Sequence, residues 1–430
     1  MDEKREEMDV AKQLEDEEKW NEAANCYVNL ISDNTPTSLY ERASWCLSRA
    51  GRYSEAVIYL RILTENDPAS AKWPYMVGYQ YYCQKMWKES VEWFELSIKR
   101  FPDYFVVKYR IAYAYVQIAG EYKKLTKAEY WKALGHLKDC HLLWNSFDES
   151  KKRKERSVYF DINFLHGKIL MELPEHRVEA ILLFLKALEI KPDDEFTKYN
   201  LAKSYYLNGD FKKAKESLPL STKYYVVELS AFIEAKLENY SKAISAINKL
   251  LLKRKRDYLF AFLAEVNLLI NENDDAYKLA RKAVAEGPKN HKNYFLMAKI
   301  YYRYGLLRKA LDFLNLANKI KKEKYGSDYQ ESDSLREEIF DKISPSYQDD
   351  NLLLKKLDQL AVDLPDKNCL GVIRNFNSEK GFGFIKSTPN DIFFHISNCK
   401  YTGITIGDHV QYTVVSTEKG LMAIDVCKLD

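Results

Sequence analysis

The sequence predicts a mainly α-helical protein, in which a solenoid of helical hairpins with capping helices precedes a small five-stranded β-barrel. A pattern of small and large apolar residues recurs at helical spacing through roughly the first 320 of the 430 residues. After Pro365 the spacing changes to short alternating segments rich in β-branched and aromatic residues. Since 430 residues exceed what one hydrophobic core usually holds, two domains or one elongated array are expected.

The repeating unit pairs two helices that cross closely at a small residue. The segment GRYSEAVIYLRILTENDP at 51–68 recurs as VEAILLFLKALEIKP at 178–192 and GLLRKALDFLNLANKI at 305–320. Prolines end the second helix of several units, and Pro68 and Pro102 are 34 residues apart. We count about nine units, centred on Ala23, Ala56, Ser90, Ala133, Ala180, Ala214, Ala243, Ala276 and Ala310.

This pattern resembles the tetratricopeptide repeat, a helix-turn-helix unit of about 34 residues, over roughly residues 5 to 325. Some units depart from it, since Ser90 replaces the usual alanine and the fourth unit carries an insertion of about nine residues, GEYKKLTKAEYW. The sixth unit is short and contains Pro219. The resemblance implies a right-handed superhelical solenoid whose concave groove is lined by the first helix of each unit.

Tyrosines occupy several of the groove positions that the resemblance implies. A tyrosine-rich groove suits a peptide or another extended ligand, because tyrosine offers a large contact area with a polar hydroxyl. The alternative is that these tyrosines pack between neighbouring first helices. The groove residues implied are Tyr79, Tyr82, Tyr113, Tyr206 and Tyr302.

Two further helices follow the repeats, at 332–343 and at 349–362, each with leucines or isoleucines on one face. A solenoid needs terminal caps to cover its last apolar face, and capping is the role expected for them. We therefore expect the solenoid and its caps at 1–363, a linker at 364–368 and a second domain at 369–430.

The C-terminal domain contains five short segments separated by turn residues. These segments predict five strands of a small closed barrel: LGVIRNF, GFGFIKS, DIFFHIS, DHVQYTVVS and LMAIDVCKL. In the second, Gly381 and Gly383 alternate with aromatic residues and leave the backbone free to bend around a barrel. The whole of 369–430 resembles the cold-shock domain, which has the oligonucleotide-binding (OB) barrel fold.

Aromatic side chains of two neighbouring strands are expected to share one face. Phe382 and Phe384 are two positions apart, as are Phe393 and His395 on the next strand, so each pair points to the same side. Together they form a platform on which unpaired bases can stack. The resemblance implies the nucleic-acid-binding residues Arg374, Lys380, Phe382, Phe384, Phe393 and His395.

The domain departs from the family pattern at two aromatic positions, where Asn375 and Ile396 stand; Tyr401 is a candidate to compensate. It carries six Lys and Arg against six Asp and Glu, so 6 − 6 = 0 and charge alone does not favour phosphate. We therefore expect weak or context-dependent binding by the isolated domain. The alternative is a barrel that has kept its fold and become a protein-docking module.

Other classes of function find little support in the sequence. Phosphate-loop, zinc-protease and nucleophile-elbow motifs are all missing, and His136, Cys140 and His141 are too few for a metal site, so we expect no enzyme, metal or cofactor. The charged N-terminus, unpaired cysteine pattern and lack of a long apolar run predict a cytoplasmic protein without membrane contact. The basic runs KKRKER, KRKR and KIKKEK either extend a phosphate track or are solvated loops.

Two functional hypotheses follow. The first is a non-enzymatic nucleic-acid-binding adaptor, whose barrel stacks single-stranded RNA or DNA, with RNA slightly favoured, while the solenoid recruits a protein partner. The second is a protein-interaction scaffold, in which the barrel has become a docking or regulatory module. Neither requires a small-molecule substrate.

Overall fold

Helical hairpins and then a barrel follow one another along the chain, in the order that the sequence predicts. The computed structural model describes residues 2–32, 35–121, 127–344, 347–362, 366–386, 391–417 and 420–428. Part of the predicted insertion, 122–126, therefore lies outside the described residues. The chain divides into two units, Met1–Leu220 and Ser221–Asp430, which are described separately.

Twelve helices are described in the first unit, and they form six successive pairs. Their bounds are α1 Asp2–Asp16, α2 Trp20–Asn29, α3 Thr37–Arg49, α4 Tyr53–Asn66, α5 Lys72–Cys83, α6 Trp87–Arg100, α7 Phe105–Glu121, α8 Lys127–Ser146, α9 Glu149–Met171, α10 Arg177–Ile190, α11 Glu195–Leu207 and α12 Phe211–Ser217. A short 3-10 helix at Pro174–His176 precedes α10. As the sequence predicts, the second helix of the sixth pair is short.

The second unit continues with three more pairs, two single helices and five strands. Its described elements are α13 Tyr224–Lys236, α14 Tyr240–Leu251, α15 Asp257–Leu269, α16 Asn273–Glu286, α17 His291–Arg303, α18 Leu307–Tyr325, α19 Asp333–Lys342, α20 Asn351–Val362, β1 Asp366–Asn377, β2 Phe382–Lys386, β3 Ile392–His395, β4 His409–Thr417 and β5 Gly420–Lys428. The nine predicted repeat units thus correspond to the pairs α1–α2 to α17–α18.

The small residues that define the repeat lie where the paired helices cross. All nine predicted centres, eight alanines and Ser90, are fully buried on the second helix of their pairs. Gly78 on α5 shows how close the crossing is, because a Cβ there would lie 2.6 Å from the Phe94 ring on α6. The nine predicted small residues are thus all buried, and at Gly78 the crossing leaves no room for a larger side chain.

Proline fixes the ends of four second helices. Helices α4, α6, α10 and α16 each stop two residues before Pro68, Pro102, Pro192 or Pro288. The intervening residue has left the helical region, with φ of −130° at Asp67. The proline ring sterically disfavours the helical conformation of the residue before it, so the sequence alone sets these boundaries.

The two predicted caps cover the last pair of the solenoid. Ile339 of α19 and Leu357 of α20 are buried in the same core cluster as Leu314 of α18. The Asp349 carboxylate accepts the backbone N–H groups of Arg308 and Lys309 at the start of α18, at 3.1 and 2.9 Å. An anionic group at this helix N-terminus satisfies donors that lack an intrahelical partner.

The five strands close into a barrel in the order β1-β2-β3-β5-β4. All neighbours are antiparallel except β3 and β5, which run parallel. The core contains Ile373, Ile385, Phe394, Val410 and Tyr412, all fully or almost fully buried. Strand β1 begins at Asp366 and therefore occupies part of the range expected as linker, while residues 363–365 lie outside the described part of the chain.

Ser90 is expected to reduce stability where the repeat pattern favours alanine. Its hydroxyl is buried without a hydrogen-bond partner among the described residues, whereas Ser97 on the same helix donates to Ala71 O at 2.8 Å. We expect Ser90→Ala to raise, and the matched control Ser97→Ala to lower, the free energy of unfolding by about 1 kcal/mol. Urea denaturation of both variants measures this, and a destabilising Ser90→Ala would contradict it.

A buried histidine pair predicts a loss of stability at acidic pH. His141 Nε2 lies 3.1 Å from His166 Nδ1, and His141 Nδ1 lies 3.1 Å from the Tyr159 hydroxyl. Burial, helped by the nearby Lys186, lowers the pKa of His141 from 6.5 to about 4. Burial and then the charge of His141 lower that of His166 to about 3. Both rings are therefore neutral in the folded protein at neutral pH.

Below pH 6.5 the unfolded chain binds protons that the folded chain excludes, so stability is lost as the pH falls toward 4. At pH 5 the loss is about 2 kcal/mol for one such histidine. Urea unfolding between pH 7.5 and 5 checks this. We expect a shallower pH dependence for His166→Gln and an unchanged one for the control His409→Gln, which alters an exposed histidine. Equal slopes in all three proteins would contradict the assignment.

Candidate nucleic-acid interface and solenoid groove

The four predicted aromatic residues of β2 and β3 lie together on one face of the barrel. Strand register pairs Phe382 with His395 and Phe384 with Phe393. The Phe393 ring centroid lies 5.8 Å from that of Phe382 and 5.7 Å from that of Phe384. All four side chains are half-buried, and the three phenylalanine rings contact one another through Phe393. The structure thus brings these residues together, and we call them the aromatic platform.

The same row of side chains continues onto the two adjacent strands. Asn375 of β1 pairs with Phe384, and Met422 of β5 pairs with Phe393. The Asn398 amide lies 3.6 Å from the Met422 sulfur. Met422 therefore adds a polarizable apolar side chain beside the rings. Sequence reasoning missed it, because the parallel pairing of β3 with β5 joins strands that are not consecutive.

Gly383 is required by close packing inside the barrel, on the opposite face of β2 from the platform. A Cβ there would lie 2.3 Å from the Asn375 carbonyl oxygen and 2.6 Å from the Phe394 ring. Gly381 lies in the turn before β2, with φ of +67°, and not in the strand as expected. The predicted role in bending the strand therefore does not apply to Gly381, whose left-handed conformation favours glycine.

Asn375 stands where the family pattern has an aromatic residue, and its side chain forms a hydrogen bond instead. A bulge interrupts the pairing of β1 with β2 between Ile373 and Asn375. There the Asn375 Oδ1 accepts the backbone N–H of Phe384 at 3.0 Å. The side chain therefore supports the strand that carries the platform, and it supplies no stacking surface.

The second departure from the family pattern, Ile396, is also not compensated by Tyr401. Ile396 is 46% exposed at the start of a short 3-10 helix after β3. Tyr401 donates to the Asp408 carboxylate at 3.1 Å and packs against the barrel core. Since its hydroxyl is bound to the nearly buried Asp408 carboxylate, Tyr401 adds no ring to the platform, in contrast to the role considered from the sequence.

Cations near the platform differ in how they are paired. Arg374 is exposed and forms an ion pair with Asp391, which competes with any phosphate. Lys380 and Lys386 are exposed and form no ion pair within the described part of the chain. Alternation along β2 puts Lys386 on the same face as Phe382 and Phe384. Lys386 is therefore a candidate phosphate contact that sequence reasoning missed.

His395 is oriented by the residue two positions later. Its Nδ1 accepts the backbone N–H of Ser397 at 3.2 Å and lies 2.8 Å from the Ser397 hydroxyl. Since Nδ1 acts as an acceptor, the ring proton of the neutral form lies on Nε2. That N–H is then available to an acceptor on a bound base or phosphate.

Three of the five predicted groove tyrosines pack together between first helices of the solenoid. The Tyr82 ring lies 6.4 Å from that of Tyr79 on α5 and 5.6 Å from that of Tyr113 on α7. The Arg110 guanidinium lies over this cluster, 4.2 Å from the Tyr79 ring centroid and 5.6 Å from that of Tyr82. This arrangement matches the alternative in which the tyrosines pack between neighbouring helices.

The other two predicted groove tyrosines lie elsewhere. The Tyr206 ring packs 5.6 Å from Phe211 of α12. In the second unit, the Tyr302 hydroxyl contacts Glu338 and Lys342 of the capping helix α19. The Tyr302 hydroxyl is therefore engaged by the cap.

The described residues include no group of three or more His, Cys, Asp or Glu side chains that could hold a metal ion. His136 lies 3.4 Å from Glu95, whereas His141 contacts His166 and Tyr159, so the histidines near Cys140 point to different partners. Among the helices that the structure describes, none is long and apolar enough to cross a membrane.

Comparison with known proteins identifies the C-terminal barrel. Residues 369–429 match the family model of the "'Cold-shock' DNA-binding domain". The cold shock protein CspA of Staphylococcus saprophyticus is 40% identical over 63 residues, which is 14% of this chain and 96% of that protein. CspA of Staphylococcus aureus strain USA300 has the same identity and coverage.

Solved structures similar to the helical region include a tetratricopeptide repeat protein from Parabacteroides merdae. It is 14% identical, with a TM-score of 0.40, and the match covers 61% of this chain and 98% of that one. The repeat assignment does not depend on this similarity. It rests on the nine helical hairpins and on the buried small residue of each.

The repeat solenoid is thus fused to a barrel whose fold and sequence agree with one family of nucleic-acid-binding modules. Through its residues 369–429, this chain belongs to the cold-shock domain family.

Proposed function

We propose that the protein is a non-enzymatic nucleic-acid-binding adaptor. The barrel holds single-stranded RNA or DNA by stacking its bases, and the solenoid recruits a protein partner. The observation that carries this proposal is the aromatic platform, in which three phenylalanine rings and His395 share one face of a cold-shock barrel. Two lysines without an ion pair among the described residues, Lys380 and Lys386, lie beside it.

The platform favours single strands, because a base must leave its duplex neighbours before its face can stack on a side chain. Each stacked base contributes about 1–3 kcal/mol, and every base has such a face, so little sequence preference is expected. Asn375 supplies no ring, and three cations of the barrel are paired with acids. Binding by the barrel alone is therefore weak, and contacts elsewhere in a complex add to it.

The charge balance of the barrel favours the second candidate, a docking module that binds protein. Ion pairs hold Arg374 to Asp391, Lys400 to Asp425 and Lys428 to Asp408. A half-buried aromatic face with little unpaired charge also suits an apolar protein surface. The two candidates differ in salt dependence, because phosphate contacts release counterions and protein contacts need not.

Removing two platform rings tests the stacking surface. We expect Phe382→Ala with Phe384→Ala to weaken binding of a ten-nucleotide pyrimidine RNA or DNA by the full chain at least tenfold, since about 1 kcal/mol or more is lost for each ring. Fluorescence anisotropy at two salt concentrations measures the affinity, and circular dichroism checks the fold. The control is Ile406→Ala, which removes an apolar side chain that is 66% exposed outside the platform.

Salt-sensitive binding that the double variant loses and Ile406→Ala keeps supports the stacking role. If the folded wild-type chain binds neither oligonucleotide, or if the double variant binds as well as the wild type, the platform does not bind bases. The docking candidate then stands in its place.

Releasing Arg374 from its ion pair should strengthen oligonucleotide binding. We expect Asp391→Asn to raise the affinity for the oligonucleotide several-fold. The slope of the logarithm of the binding constant against the logarithm of the salt concentration should steepen by about 0.7, the value for one added phosphate contact on a single strand. Asp425→Asn is the matched control, because it adds the same charge to the barrel while releasing Lys400 instead. Equal effects of the two variants would show that net charge, rather than Arg374, controls binding.

A further inference from the structure

A cavity in the first unit lies between the two helices of the irregular fourth repeat and the first helix of the fifth. Its volume is about 820 Å³. The walls include side chains of α7, α8 and α9, among them Tyr109, Trp131 and Phe164. Leu165 and Ile169 add aliphatic surface. The cavity is large enough for several side chains of a bound peptide segment.

The cavity contains one acidic group that the fold leaves unpaired. Asp161 of α9 is half-buried, and its carboxylate makes no hydrogen bond or ion pair with the described residues. Burial raises its pKa, which the nearby Lys191 only partly offsets. A carboxylate in this position is stabilised by a cation that enters the cavity.

The other charged residues that line the cavity are more exposed than Asp161. Glu172 is 3.5 Å from Lys203, and Glu175 is exposed. Lys168 is exposed, and its ammonium lies 6.0 Å from the Phe164 ring centroid and 5.8 Å from that of Phe196. Within the described part of the chain it forms no ion pair with Asp161. Three acids against one lysine give the lining a net charge of 1 − 3 = −2.

In the neighbouring tyrosine cluster, an arginine of the chain itself already lies over the aromatic faces. On α7, Arg110 lies over the rings of Tyr75, Tyr79 and Tyr82, at 5.4, 4.2 and 5.6 Å from their centroids. On the same helix, Tyr109 instead lines the cavity. Aromatic faces and a carboxylate are therefore arranged for a second cation that the chain itself does not supply.

We propose that this cavity binds an arginine or lysine side chain of an extended protein segment, with an apolar neighbour of that residue on the aliphatic wall. The carboxylate of Asp161 pairs with the cation, and Tyr109, Trp131 and Phe164 face its methylene groups and charge. This names the chemistry of the partner in the proposed adaptor function and rests on the solenoid's role in that function. An acidic cavity also excludes phosphate, so the nucleic acid is not its occupant.

The test uses four pools of fluorescein-labelled nine-residue peptides. Their central residue is arginine, lysine, citrulline or glutamate, and all other positions are equal mixtures of Ala, Leu, Ser and Tyr. Anisotropy with the full-length protein gives the affinity of each pool. We expect the arginine and lysine pools to bind about tenfold more tightly than the citrulline and glutamate pools.

Asp161→Asn should remove this preference while leaving the fold intact, because it exchanges a half-buried unpaired charge for a neutral side chain of the same shape. The matched control is Asp193→Asn, whose side chain is fully exposed outside the cavity and should leave the preference unchanged. Thermal melting checks both variants. Loss of the preference in a variant that melts at or above the wild-type temperature supports the proposal.

Three results would overturn it. The first is equal binding of the four pools, and the second is a preference that persists in Asp161→Asn. The third is a wild-type dimer, seen by light scattering, that disappears in Asp161→Asn, since this identifies a second copy as the occupant. Binding of the ten-nucleotide probe is measured with the same protein samples. Failure of the barrel to bind RNA or DNA therefore contradicts the adaptor function separately from failure of the cavity to prefer a cation.

Discussion

Close crossing of two helices at a small side chain is the constraint on which the solenoid depends. The eight alanines and Ser90 at these crossings have no exposed surface. A larger side chain there would separate the helices and open the core between hairpins, because protein interiors are packed without spare volume. The crossing in turn fixes which face each first helix presents. The positions of Arg110, Tyr113 and Asp161 therefore follow from a spacing that is set elsewhere in the repeat.

The candidate partner site lies among long helices. Helices α7, α8 and α9 have 17, 20 and 23 residues, whereas α5 and α6 have 12 and 14. Longer helices extend beyond the pairs beside them and provide walls that a regular repeat would not form. The cavity and the buried pair His141–His166 both belong to this part of the first unit. Stacking of the repeats alone requires neither feature.

The sequence predicts features that depend on period and on local chemistry. Spacing identifies the buried small residues, proline identifies four helix ends, and alternation puts Phe382 and Phe384 on one face. It does not predict contacts between elements that are distant in sequence. The pairing of Phe393 with Met422 depends on barrel closure, and the ion pair of Arg374 with Asp391 depends on how two strands align. Periodicity predicts which face of a helix a residue occupies but not what packs against that face. It therefore predicts a groove position for Tyr79 and Tyr82 but not the Arg110 guanidinium that lies over their rings.

The two binding surfaces differ in the ligands that each can accept. The platform offers rings with Lys380 and Lys386 beside them, and bases linked by phosphates match both features. The cavity offers rings around the Asp161 carboxylate, where a phosphate would meet repulsion in a half-buried site. Because aromatic faces serve both, the sign of the nearby charge separates the ligands. Under the two proposals, a nucleic acid and a basic protein segment would therefore not compete for either surface.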